Sequence, residues 1–283
     1  MFLALMLVFC SAILHVIWNV KLKSEKDPLS TTTKALSLGV LCFLPIVFVY
    51  WLIVGMPAVS NHVLFLAVLS GIAELGYFWF LAYSYRRGQL SVVYPIARGS
   101  APVLAFAFGI LFLNEHISQP QIIGIICLLL GIWLIGGAAI SGVRGTIPAI
   151  LTGLFVAIFM VIDKLALNEG IDPFIYGGLK YGFTALFLVA FIPFRALTGM
   201  KASKLEFRSW KKYLFIGVCI IVTYQLILFA LTMAPVALVS PLRESASVIV
   251  TIWGIWKLKE RDRLASKLIG VCAVVTGTVL FAI

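Results

Sequence analysis

The chain has 283 residues, 62% of them hydrophobic and 12% charged, with a mean hydropathy of +1.11. A soluble domain of this length could not hide so much apolar surface, so the solvent for most of it is lipid. The net charge of +11 does not indicate nucleic acid, because the Lys and Arg fall between apolar runs, where charges anchor loops at the inner leaflet.

Taken in chain order, apolar runs of about 20 residues predict ten transmembrane helices, at about 2–20, 35–54, 63–85, 90–113, 119–138, 147–167, 174–194, 213–233, 235–256 and 264–283. The first run lacks a basic leader and an A-x-A-type cleavage site, so it is expected to be retained. Breaks fall at KSEKDP, VGMPAVSN, RRGQ, NEHISQP, SGVRG and KLKERDR, which are turn or charge segments. Connections this short leave no soluble domain, and any activity must lie among the helices. The five Cys lie singly in different spans, with no metal or disulfide spacing.

Basic residues choose a side. Lys21, Lys23, Lys26 and Lys34 fall in loop 1–2, Arg86 and Arg87 in loop 3–4, and Arg144 in loop 5–6. Loop 7–8 runs from Arg195 to Lys212 and loop 9–10 from Lys257 to Lys267, both strongly basic. The remaining loops carry only Lys164, at a helix end. This bias predicts a multi-pass protein of the cytoplasmic (inner) membrane, with the basic loops inside and both termini outside.

A shift of 145 positions lays Asp27-Pro28 on Asp172-Pro173, Arg98 on Arg243, Ser100-Ala101 on Ser245-Ala246 and Glu115 on Glu260. With one residue of slip, Gly124 and Gly131 meet Gly270 and Gly277. Five spans per copy is an odd number, so the second copy enters the membrane inverted. The expected fold is therefore all-α, with ten spans as two inverted five-helix repeats, residues 1–140 and 147–283. Such repeats build alternating-access transporters with a site near the midplane.

With Asp-Pro after the first span of each half and Glu after the fourth, the pattern resembles the drug/metabolite transporter superfamily, its EamA-type members above all. GIICLLLG and GVCAVVTG also resemble the paired-glycine motif of small multidrug-resistance helices. Glycines two turns apart share one face and let backbones approach, so spans 5 and 10 are expected to pack along Gly124, Gly131, Gly270 and Gly277. Many members of the superfamily are expected to keep their termini in the cytoplasm, whereas these loops indicate the reverse.

Arg98 lies about eight residues, or about 12 Å, into its span, between Pro95 and Pro102. Each proline frees a carbonyl, which membrane helices tolerate where the backbone lines a cavity or finds protein partners. Arg243 repeats the placement beside Pro241 and Glu244. Both arginines are candidates for cargo or gate contacts, and an ion pair of Arg243 with Glu244 or Glu74 is the plain alternative. Glu74 either carries a coupling proton or pairs with Arg98. Polar stripes add Ser11, His15, Trp18 and Asn19 in span 1, Tyr176, Lys180 and Thr184 in span 7, and Tyr224 and Gln225 in span 8. Asp163-Lys164 closes span 6; Tyr77, Phe78 and Trp79 either line the site or pack; Glu115 and Glu260 sit at helix ends, suited to capping or gating.

Candidate charges of both signs, Glu74, Glu244 and Asp163 against Arg98, Arg243, Lys180 and Lys164, suit a zwitterion or organic anion, such as an amino acid or related metabolite; the resemblance to EamA-type proteins implies the same. The alternatives are a small-multidrug-like exporter of organic cations, resting on Glu74 alone, and a non-transport scaffold. The sequence has no HExxH pair, phosphate loop or ordered nucleophile and base, so neither an enzyme nor a cofactor or metal is expected. The expected partners are a small solute, the bilayer and a coupling proton; a monomer suffices and a dimer is compatible.

Overall fold

The computed structural model describes residues 2–23, 25, 27–87, 90–136, 143–194, 209–243, 252 and 264–280, without the side chains of 20, 23, 85, 87, 90–96, 98, 135–136 and 143–144. Among the described residues there are ten α-helices: α1 Phe2–Lys23, α2 Pro28–Ile53, α3 Asn61–Arg87, α4 Leu90–Leu113, α5 Gln119–Gly136, α6 Val143–Asn168, α7 Pro173–Ala190, α8 Trp210–Met233, α9 Val236–Arg243 and α10 Leu264–Leu280. Six of these (α1, α2, α3, α6, α7 and α8) are long and apolar enough to cross a membrane, while α4, α5 and α10 carry shorter apolar stretches. Large hydrophobic side chains such as Leu41, Phe48, Leu111, Trp133 and Leu186 are exposed around the outside, as lipid contact requires.

The two Asp-Pro pairs start equivalent helices. Asp27 caps α2 by accepting from Ser30 N at 3.1 Å; Asp172 caps α7 by accepting from Phe174 N at 2.8 Å and Ile175 N at 3.1 Å, with proline in the first turn of each helix. The second helix begins at Pro28, earlier than the expected 35. Its polar Thr run fits inside the helix because the Thr32 and Thr33 hydroxyls donate to the Pro28 and Leu29 carbonyls at 2.9 and 2.8 Å. Lys34 is therefore a helical residue, buried, with Nζ 5.4 Å from the Tyr213 ring centre, and not a loop anchor.

Helix packing carries an approximate two-fold relation that exchanges α1–α5 with α6–α10. Helix α3 packs on α6 as α8 packs on α1, and α3 on α7 as α8 on α2. Helices α2 and α7, α4 and α9, and α5 and α10 each meet their own counterparts. At the α5–α10 seam a Cβ on Gly131 would stand 2.6 Å from the Gly270 carbonyl oxygen, and one on Gly277 would stand 2.5 Å from that of Gly124. Only glycine fits there. A second close approach sets Gly71 of α3 on α7, where a Cβ would lie 3.1 Å from Thr184 N. That contact brings the polar residues of the two helices together.

Candidate functional site: a buried charge network between the repeats

Asp163 sits five residues before the end of α6, with no exposed surface. Its Oδ1 accepts from Ser70 Oγ of α3 at 2.5 Å and from Tyr176 OH of α7 at 2.7 Å. Its Oδ2 accepts from Lys180 Nζ of α7 at 2.6 Å and from Tyr224 OH of α8 at 2.5 Å. A carboxylate offers about four lone-pair sites, and four donors fill them. Lys180 is equally buried; its ammonium lies 3.8 Å from the Tyr224 ring centre and 4.3 Å from that of Phe159. Two aromatic faces and one carboxylate thus replace its water.

Glu74 of α3 lies on the far side of Lys180, 3.8 Å from Nζ, and accepts from Thr184 Oγ1 at 2.9 Å. Arg243, at the end of the described part of α9, approaches His15 Nδ1 of α1 at 3.3 Å and stands 5.6 Å over the Tyr224 ring. Guanidinium has no lone pair to share, so Nδ1 is the acceptor. Among the described residues Arg243 makes no salt bridge and its buried Nε has no hydrogen-bond partner. The network therefore joins α1 and α3 of the first repeat to α6, α7, α8 and α9 of the second.

The other expected site residues divide. Trp18 is buried beside the His15 ring, 4.8 Å between centres, and its Nε1 is unpartnered among the described residues. Asn19 spends its amide on the His15 carbonyl at 2.9 Å, and Gln225 spends its Nε2 on that of Pro173 at 2.7 Å. Phe78 is buried against Tyr77 and belongs to the apolar core. The Arg98 side chain, Glu244 and Glu260 lie outside the description. The expected pairings of Glu74 with Arg98 and of Arg243 with Glu244 lie outside the described residues. Among the described residues Glu74 meets Lys180 and Thr184, and Arg243 meets His15 and Tyr224 in place of an acid. Lys164 leaves the candidate set, since its Nζ donates to the Leu231 and Ala234 carbonyls at 2.5 and 3.4 Å, closing the end of α8. Asp163, expected both to close a helix and to be one of the charges of the site, is the centre.

The network occupies one of two related interfaces. The 145-residue shift sets Asp163 against Trp18, Lys180 against Ala35, Glu74 against Cys219 and Thr184 against Gly39. The related α1–α2–α8 contact has instead a Gly39–Gly217 approach, where a Cβ on Gly39 would lie 3.0 Å from the Gly217 carbonyl carbon.

At the helix ends away from the basic loops, Glu169 joins the halves. It meets His62 Nδ1 and accepts from Ser60 Oγ at 3.2 Å, and Tyr50 OH donates to Asp172 Oδ2 at 3.1 Å. The His62 contact holds the Glu169 carboxyl below its ordinary value. Glu115, just past α4, accepts from Val236 N at 2.6 Å and Ala237 N at 2.9 Å, capping α9 of the other repeat.

Ten membrane helices in two related halves, meeting at a buried charge network, define a membrane transporter class. The profile of the EamA-like transporter family matches residues 1–137 and again 143–283, and the chain belongs to that family. An uncharacterized protein of Methanocaldococcus jannaschii is 31% identical over 116 residues, which cover 41% of this chain and 81% of that protein. One crystal structure of a protein superposes over 99% of this chain and 98% of its own, with a TM-score of 0.73 at 15% identity, a likeness of fold.

Proposed function

We propose that the chain is a secondary transporter that moves a small polar metabolite, an amino acid or related zwitterion or organic anion, by alternating access. The reading rests above all on Arg243. A cation some nine-tenths buried, without an acid partner among the described residues, is costly unless a mobile anion completes it. Its place between helices of both repeats supports a site that faces each side in turn as the halves rock. Two contacts between the repeats lie at opposite ends: Glu169 with His62, and Lys212 Nζ with Glu25 Oε1 at 2.5 Å. Each is suited to part when its own side opens. The small-multidrug-like alternative is disfavoured, since Lys180 stands beside Glu74, the acid on which it rests.

Cytoplasmic basic loops, external termini, an inner-membrane location and a self-sufficient monomer remain parts of this proposal, supported by the charge bias. The test is a thermal-shift screen of purified protein against a metabolite panel, with wild type and Arg243→Ala side by side. A zwitterion or organic anion that stabilises only wild type is the expected hit. Stabilisation confined to lipophilic cations would transfer the reading to the multidrug alternative.

A further inference from the structure

We infer that the site takes up a carboxylate anion together with one proton, Glu74 being the built-in counter-anion that the cargo displaces; this rests on the transport reading above. Among the described residues four buried charged side chains make the network: Asp163, Lys180, Glu74 and Arg243. Asp163 and Lys180 close on each other. The aspartate already receives four donors, which fill its acceptor sites, and the pair is neutral as a unit. The balance is therefore decided by Glu74 and Arg243.

Glu74 is held far more loosely. Among the described residues it has one hydrogen-bond donor, the Thr184 hydroxyl, which is also 2.9 Å from the Lys180 carbonyl oxygen. One hydroxyl hydrogen cannot serve both acceptors fully. A proton on Glu74 resolves this: the carboxyl O–H donates to Thr184 Oγ1, and Thr184 donates to the carbonyl. Arg243 shows the complementary need. Its Nε has no acceptor among the described residues, nor have Trp18 Nε1 and Ser11 Oγ, which share the His15 face of α1 at helical spacing. Two further donors without acceptors among the described residues, on the His15 face that Arg243 meets, beside a cation with no acid partner among those residues, fit a group that is all acceptor and negatively charged, which a carboxylate is.

Charge balance then couples the two events. With Glu74 ionised the four charges sum to zero and the site is neutral while empty. With Glu74 protonated one positive charge remains, and a monoanion on Arg243 cancels it. A buried excess charge is costly in either direction, so anion and proton each tighten the binding of the other. Among the described residues the groups facing Glu74 leave that balance intact. They are Asp163 from α6, Lys180, Tyr176 and Tyr181 from α7, Tyr224 from α8 and Arg243 from α9. The tyrosines are neutral, and Tyr176 and Tyr224 spend their hydroxyls on Asp163 and Tyr181 on the Ile221 carbonyl. Lys34 of α2 is turned to Tyr213, and the Arg98 side chain of α4 lies outside the description.

The test uses acetate as the probe, with acetamide as its uncharged isostere, on full-length protein in lipid nanodiscs. Calorimetry from about pH 6 to pH 9 gives affinity, and an indicator dye in weak buffer gives proton uptake. Wild-type acetate affinity should fall about tenfold per pH unit, with about one proton taken up per acetate bound. Glu74→Gln should bind acetate with no pH slope and no proton uptake, at least as tightly as wild type does at the acid end. Arg243→Ala should bind none. A flat wild-type profile without proton uptake, or a slope that persists in Glu74→Gln, overturns the role of Glu74 and leaves an anion transporter standing. Acetate binding wild type no better than acetamide at every pH removes the anion site, and with it both the inference and the anionic cargo. Should Glu74→Gln fail to fold, the wild-type proton uptake decides alone.

Discussion

Lys180 Nζ lies 2.6 Å from Asp163 Oδ2, and neither side chain has exposed surface. Removing one partner strands the other charge in a dry interior, whereas removing both leaves neither charge unpaired. Asp163→Asn and Lys180→Met are each expected to cost about 3–5 kcal/mol of stability. The pair Asp163→Asn with Lys180→Met should cost clearly less than the sum of the singles. A double-mutant cycle of denaturant unfolding in micelles measures this, and strict additivity would contradict the pairing.

The glycine seam between α5 and α10 makes a steric prediction. Gly131→Val puts Cβ within 2.6 Å of the Gly270 carbonyl oxygen, a backbone atom that a side-chain rotation cannot clear. The variant should melt well below wild type, while Gly55→Val, in a turn with open space but a left-handed backbone, should melt only slightly lower. Equal losses would mean that the seam is not closely packed.

Much of this fold is legible in the sequence because span length, the Asp-Pro caps and the seven-residue glycine spacing are local properties. The start of α2 is not, since TTTK reads as polar until its hydroxyls are seen to bond the helix's own carbonyls. In the candidate site, Glu74, Lys180, Arg243 and His15 stand out as polar residues within apolar runs. Asp163 does not: it lies close to a helix end beside Lys164, where a charge normally meets headgroups, and only tertiary packing turns it onto Ser70, Tyr176, Lys180 and Tyr224. The repeat draws attention to the two arginines, whereas the network is assembled where the repeats differ.

The contact of Glu169 with His62 carries a pH dependence of known sign. The Glu169 carboxyl is held below its ordinary value, so its contribution is present above that value and fades as the pH falls through the lowered one. Glu169→Gln should remove this component of acid sensitivity, seen as a flatter melting-temperature profile between about pH 3 and pH 6. An unchanged profile would place the acid-sensitive step elsewhere.

Glu115 satisfies two amides at the start of α9 from the opposite repeat. Glu115→Ala is expected to cost about 0.5–2 kcal/mol as a lost cap. Hydrogen exchange should speed up at Val236 and Ala237 while the α5–α10 seam stays protected. Uniform acceleration across the molecule would indicate a global rather than a capping effect.

Solute flux into sealed proteoliposomes tests the central claim most directly, with radiolabelled zwitterionic and anionic metabolites offered to wild type and Arg243→Ala at matched reconstitution. Saturable uptake by wild type, lost in the variant, is the expected result. Wild-type flux indistinguishable from protein-free vesicles across the whole panel, from protein that is folded and inserted, would contradict it.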